Sequence, residues 1–222
     1  GGREGRYPLY VAAPPASSVQ AGKIAFEVVL LDFGKPVEPA AQLADHALPL
    51  QCVLREGLWS TWKGTADTTQ VDDGDRLLRL TSRLGSEVSR SEMRYLVVNG
   101  RRQPYEADAP ATLKFQVRRV NAPNEVLLDG LPLAIIPANT PDEATVSFEI
   151  SPDRLAKVNR VTLRAAIERE NDRDDFSAGP IWLEYKARKF YDLRFPTFDR
   201  QNVGDAPGAH YQPERDWYFC LP

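Results

Sequence analysis

Two cysteines and two histidines in 222 residues leave this chain nearly bare of the side chains that do metal and nucleophile chemistry. A structural zinc site draws on about four clustered Cys or His ligands, whereas Cys52, Cys220, His46 and His210 are scattered. His46 follows Asp45 in a Pro-bounded stretch and His210 lies in a Gly-rich tail, and no GxSxG elbow accompanies either. A Ser-His-Asp triad is therefore not expected. P-loop, Rossmann and HExxH signatures are also missing. No apolar run approaches the ~20 residues of a membrane-spanning helix, and no basic-then-apolar leader opens the chain. The start Gly1-Gly2-Arg3, without Met, suits an excised module or a processed chain. With 28 basic and 31 acidic side chains, the concentrated basic surface of a nucleic-acid binder is not expected. For the cysteines two readings stay open: buried free thiols, or a Cys52–Cys220 disulfide closing most of the chain, worth at most roughly 5 kcal/mol.

What the chain does have is proline and strand-like alternation. Its 18 prolines exceed the ~5% average and recur between apolar runs, the layout of short strands joined by stiff loops. The length suits two domains of ordinary size. Tyr7–Val11 reads as an edge strand, because Pro8 removes a ladder donor, and Ile24–Phe33 (IAFEVVLLDF) as a buried strand. Leu50–Arg55 and Leu58–Trp62 flank a Glu56-Gly57 turn. Trp59 and Trp62, three apart, point to opposite faces of such a strand. Ala40–Ala47 is expected to be a short helix, and Val71–Asp75 a solvated turn whose aspartates bond nearby backbone. Leu78–Leu84 reads as a strand, Gly85–Glu92 as a loop, and Met93–Val98 as a strand entering a hairpin at Asn99-Gly100. The edge strand, the Gly22-Lys23 entry and the long central strand resemble the opening of an immunoglobulin-like sandwich. The charged stretch Arg101–Pro110 lacks apolar periodicity and sets the expected boundary between domains 1–103 and 104–222.

Leu113, Phe115 and Val117 alternate with polar residues, as do Val146, Phe148 and Ile150, and Val161, Leu163, Ala165 and Ile167. These are half-buried strands. Ser151-Pro152-Asp153 carries an N-cap residue, proline at the first helical position and an acid in the first turn, so a single helical turn is expected there, ended by Asn159. The tail Trp217–Leu221 is too apolar to hang free and should dock on a sandwich. The order strand, Asp-Gly turn, strand, capped turn, strand, acidic DDF loop, strand resembles the galactose-binding-domain-like β-sandwich, a jelly roll common among carbohydrate-binding modules. The expected architecture is therefore all-β: an immunoglobulin-like sandwich followed by a galactose-binding-like jelly roll.

That resemblance implies a non-catalytic carbohydrate-binding or accessory module of a secreted bacterial carbohydrate-active protein, extracellular or periplasmic. A polysaccharide and a neighbouring catalytic domain would be its partners. It also implies a structural calcium, with Glu170, Asp172, Asp174 and Asp175 as metal oxygens, although Arg173 sits among them and no calcium-loop spacing is matched. On a bare reading the same acids lie at the rim of the loop while Phe176 turns inward, so that Asp174→Asn and Asp175→Asn would be nearly neutral. Sugar recognition uses exposed aromatic faces, which makes Trp59, Trp62, Trp182 and Trp217 the candidate contacts. Trp182 lies out of phase with Ile181, Leu183 and Tyr185 and should face away from them. The alternatives are a structural module mediating protein assembly and, least favoured, a hydrolase using paired carboxylates.

Overall fold

Alternation along the chain becomes one packed face and one open face in most of the longer strands. The computed structural model describes residues 9–99, 103–169, 172–192, 200–204 and 212–222, so Pro8, Gly100, Glu170 and His210 lie outside the described residues. The chain divides into two compact units, Gly1–Arg101 and Arg102–Pro222, and the described residues are almost entirely strand and turn.

The first unit holds β1 (Leu9–Ala12), β2 (Val19–Gln20), β3 (Lys23–Leu31), β4 (Glu38–Leu43), β5 (His46–Leu48), β6 (Leu50–Glu56), β7 (Trp59–Asp67), β8 (Gly74–Leu84) and β9 (Glu87–Val97). They form two sheets, β1-β3-β7-β6 and β2-β9-β8-β4-β5. In immunoglobulin lettering these are A-B-E-D and A′-G-F-C-C′, an immunoglobulin-like sandwich by strand order. The core between them contains Phe26, Val28, Leu30, Leu43, Leu78, Leu80 and Tyr95. No inter-sheet disulfide is formed, because neither Cys52 nor Cys220 is disulfide-bonded.

Five expectations change here. The Ile24–Phe33 run buries only alternate residues, and Ala25, Glu27, Val29 and Leu31 face outward. The helix expected at Ala40–Ala47 is instead the β4-β5 hairpin: Ala41 and Leu43 pair with Leu80 and Leu78 of β8 and enter the core, so tertiary pairing overrides local propensity. The expected loop Gly85–Glu92 is mostly β9, because all eleven of its residues pair with β8. Asn99 begins no hairpin among the described residues. Its Nδ2 donates to Thr68 O (2.7 Å), its Oδ1 accepts from Gly22 N (3.1 Å), and its own N–H donates to Asp73 Oδ1 (2.7 Å). Asp73 is thereby buried rather than solvated.

The second unit holds β10 (Ala111–Arg118), β11 (Asn124–Leu128), β12 (Leu131–Ile136), β13 (Thr145–Ile150), β14 (Val158–Arg164), β15 (Ile167–Arg169), β16 (Asp172–Arg173), β17 (Phe176–Tyr185), β18 (Arg188–Tyr191), β19 (Gln201–Val203) and β20 (Glu214–Cys220). One sheet runs β13-β10-β17-β18 with β19 also on β17, the other β12-β11-β14-β20. Asp129 and Gly130 both take positive φ (51° and 82°), closing the β11-β12 hairpin as an Asp-Gly turn should. The tail does dock: β20 pairs along β14, putting Trp217 and Phe219 in the core. The helical turn before β14 is a short 3-10 turn, Pro152–Arg154, with no side-chain cap from Ser151. Asn159 does not end it. That residue lies inside β14, buried, and clasps Ala156 through both its amide groups.

Candidate ligand-binding surfaces

The strand pleat sorts the four tryptophans. Trp217 is 1% exposed in the core of the second unit, so its reading as a ligand contact is corrected: its ring faces have no route to a ligand. Trp62 lies on the inner side of β7, packed against the first core, with the Arg55 guanidinium carbon 5.6 Å from its ring centroid. Trp59, three residues earlier, points the other way and is 39% exposed.

On that outer side of β1-β3-β7-β6, Tyr10 pairs with Val29, Val29 with Thr61, and Thr61 with Leu54. The next row brings Leu31 and Glu56 beside Trp59. Tyr10 is 59% exposed, and its ring centroid lies 6.2 Å from that of Trp59, with 37° between planes. Exposed Leu54, Leu58 and Phe33 extend the apolar character, and a Lys63–Glu27 ion pair at 3.6 Å borders it. The surface exists because the end of β3, Val28–Leu31, is apolar on both sides while only one side has a core to enter.

Trp182 faces outward from β17, as its phase predicts, between Lys114 of β10 and Tyr191 of β18. The protein already uses much of this indole. Nε1 donates to Glu184 Oε1 (2.9 Å), and Lys189 Nζ lies 4.8 Å from the ring centroid. Glu184 also accepts from Lys114 Nζ at 2.7 Å. That bond, then the one from Trp182, holds the Glu184 carboxyl below the usual range.

The acidic loop is not a rim of free carboxylates. Asp174 is 0% exposed, and its two oxygens accept from Asn121 N (3.1 Å to Oδ2), Asn121 Nδ2 (3.3 Å), Ala122 N (3.1 Å) and Asn124 Nδ2 (2.6 Å). Buried Asn124 accepts in turn from Ala166 N at 2.8 Å. The pair locks the 119–124 loop to the 165–175 loop, and N–H donors occupy the lone pairs a cation would need. Arg173 reaches back to Ala165 O (3.0 Å), Asp172 is exposed and Asp175 half-buried. Among the described residues no group of three or more His, Cys, Asp or Glu could hold a metal. The described members of the expected calcium set therefore do not fit a calcium shell of six to eight oxygens. Phe176 is fully buried, as expected, and a Cβ on Gly204 would come 2.1 Å from Asp174 O. Only glycine lets β19 approach this loop.

No family model matches the chain, and no curated protein matches it. Among solved structures, the endo-β-1,4-mannanase from Thermotoga petrophila is similar at TM-score 0.36 and 14% identity, over 42% of this chain and 20% of that one. The chain thus spans about a fifth of that structure's length. A chimeric titin Z1Z2-Z1Z2 tandem functionalised with a GRGDS exogenous peptide from fibronectin is similar at TM-score 0.28 and 12% identity, over 72% of this chain and 92% of that one. The I9-I11 tandem from titin is similar at TM-score 0.23 and 12% identity, over 96% and 89%. Likeness at this level carries no functional argument, and the fold description rests on the strand pairing itself.

Proposed function

We propose that this protein is a non-catalytic carbohydrate-binding module, accessory to a catalytic domain of a secreted bacterial carbohydrate-active protein. Its glycan lies across Tyr10 and Trp59. The observation that carries the reading is this pair of adjacent, exposed rings on an open sheet face. Aromatic faces match the C–H side of a pyranose, and Glu27, Glu56 and Lys63 nearby supply polar groups for hydroxyls. The repeated crossing of the second unit's chain between its two sheets supports the jelly-roll resemblance, and with it the carbohydrate setting. Affinity electrophoresis against a panel of neutral polysaccharides tests the proposal. Retardation should be seen for at least one polymer and be abolished by Trp59→Ala, with Trp182→Ala having the smaller effect. Absence of retardation by every polymer sinks it.

A second reading is favoured by the aliphatic members of the same surface, Leu54 and Leu58, both about half exposed. Aliphatic side chains suit a protein partner better than a sugar. Light scattering over a concentration series separates the two, because assembly through this face predicts a concentration-dependent mass that Leu54→Lys removes.

A further inference from the structure

A cleft of about 560 Å³ opens on the second unit, lined by the end of β10, the turn before β13, and residues of β17 and β19. Three arginines, Arg118, Arg119 and Arg200, line it together with Asp142 and Glu143. Their formal charges sum to about +1, so the cleft suits a monoanion better than a dianion.

Glu143 shows what these arginines grip. Arg118 Nε donates to one of its carboxylate oxygens and Arg200 Nη2 to the other at 2.9 Å. Desolvation, the largest influence, pushes the Glu143 carboxyl up, yet the bonds from Arg118 and Arg200 together hold it below the usual range. Arg200 Nη1 is enclosed and has no hydrogen-bond partner among the described residues. An enclosed guanidinium N–H without an acceptor is costly, and a ligand carboxylate that displaces Glu143 from this fork brings a second oxygen to it. Planar two-oxygen anions match the guanidinium fork. Asn202, on β19, lines the same cleft and offers an amide to a ring hydroxyl.

We propose that this cleft binds the carboxylate of an acidic sugar, with Arg200 as its main ligand and Arg118 beside it. Glu143 is then an internal carboxylate that competes for the same guanidinium groups. The inference rests on the carbohydrate reading for its sugar, but it uses a different surface from the Tyr10–Trp59 pair.

Calorimetric titration at low ionic strength with galacturonic acid, its methyl ester and inorganic sulfate tests it. The acid should bind, and the ester and sulfate at least about tenfold more weakly. Arg200→Gln should weaken the acid by about tenfold or more, and Glu143→Gln, by removing the competitor's charge, should tighten it. That opposite sign guards against a variant that merely misfolds. Acid binding is read through the cleft variants Arg200→Gln and Glu143→Gln, and neutral-polysaccharide retention through the Tyr10–Trp59 face, so failure of one reading is separable from failure of the other. No binding of the acid, equal binding of the ester, sulfate binding as tightly as the acid, or indifference to both cleft variants would each overturn the proposal.

Discussion

The two sandwiches solve the outer-face problem differently. In the first unit the outward side of β1-β3-β7-β6 carries an apolar patch of Tyr10, Val29, Leu31, Leu54 and Trp59, bordered by the Lys63–Glu27 ion pair. In the second, exposed large apolar residues are confined to Leu131 and Ile135 of the edge strand β12 and to Ile167 among the described residues, and the inner strands carry cross-strand charge on their outward sides. Lys114 pairs with Glu184, and Arg164 reaches both Glu125 (2.9 Å) and Glu214 (2.5 Å). The second core is also the richer in large buried aromatics, with Phe115, Phe176, Trp217 and Phe219 fully buried against Tyr95 in the first. An outward apolar face adds little to a unit's own stability compared with its core, and this face is the one on which the proposed binding rests. The charged faces of the second unit satisfy themselves and leave the cleft as that unit's open chemistry.

The largest effect should come from the second core. Phe176→Ala should lower its unfolding free energy by ~3–5 kcal/mol, read by urea denaturation, while the first unit's transition stays where it was. Asp174→Asn comes next. Presenting an amide N–H₂ to donors that now meet a carboxylate should cost ~1–3 kcal/mol, in contrast to the near-neutrality a rim carboxylate would show. Asp175→Asn should stay within about 0.5 kcal/mol. Calcium and a chelator should give the parent the same melting curve. A calcium-dependent rise lost in Asp174→Asn would restore the metal reading, since a ligand that binds only the folded state stabilises it.

Acid should also tell the units apart. Among the described residues of the second unit hydrogen bonds hold three carboxyls below their usual range: Asp108 through Lys186 and Tyr185, Glu184 through Lys114 and Trp182, and Glu143, against its desolvation, through Arg118 and Arg200. In the first unit Asp67 is lowered, chiefly by the Thr69 hydroxyl and N–H. A depressed carboxyl contributes its stability in full above its unfolded value, about 3.9 for Asp and 4.3 for Glu. That contribution is lost as pH falls through the lower folded value. Melting followed from pH 6 downward should therefore show the second unit losing more than the first below about pH 4. The smallest stability change belongs to Tyr10→Ala, expected within about 0.5 kcal/mol. Its effect should fall on polysaccharide retention instead, and a large drop in melting temperature would mean that the ring is structural.

Much of the fold was legible wherever one face of a strand meets a core. Ala111–Val117 alternates and is buried on alternate residues, the Asp129-Gly130 turn has the backbone its residues favour, and Trp59 and Trp62 diverge as the pleat requires. The expected boundary at 103/104 and the division at 101/102 differ by two residues. The β4-β5 hairpin and the length of β9 were not legible, because their polar segments become strands by pairing with β8. Tyr10 as the partner of Trp59 was missed for a similar reason: 49 positions apart, they meet only when β1 and β7 flank β3.

Local periodicity, turn chemistry and the scarcity of Cys and His thus settled from sequence alone that the chain is β-rich and without a recognisable catalytic motif. Which side of an apolar strand stays open, and whether a carboxylate is free or spoken for, only the tertiary structure decided. Asp174 and Asp175 are neighbours of one chemical type, yet the first is enclosed by donors from a loop some fifty residues away and the second is half-buried. Arg200 and Glu143 meet across 57 positions. Such pairings are set by long-range packing, to which a period of two along one strand is blind.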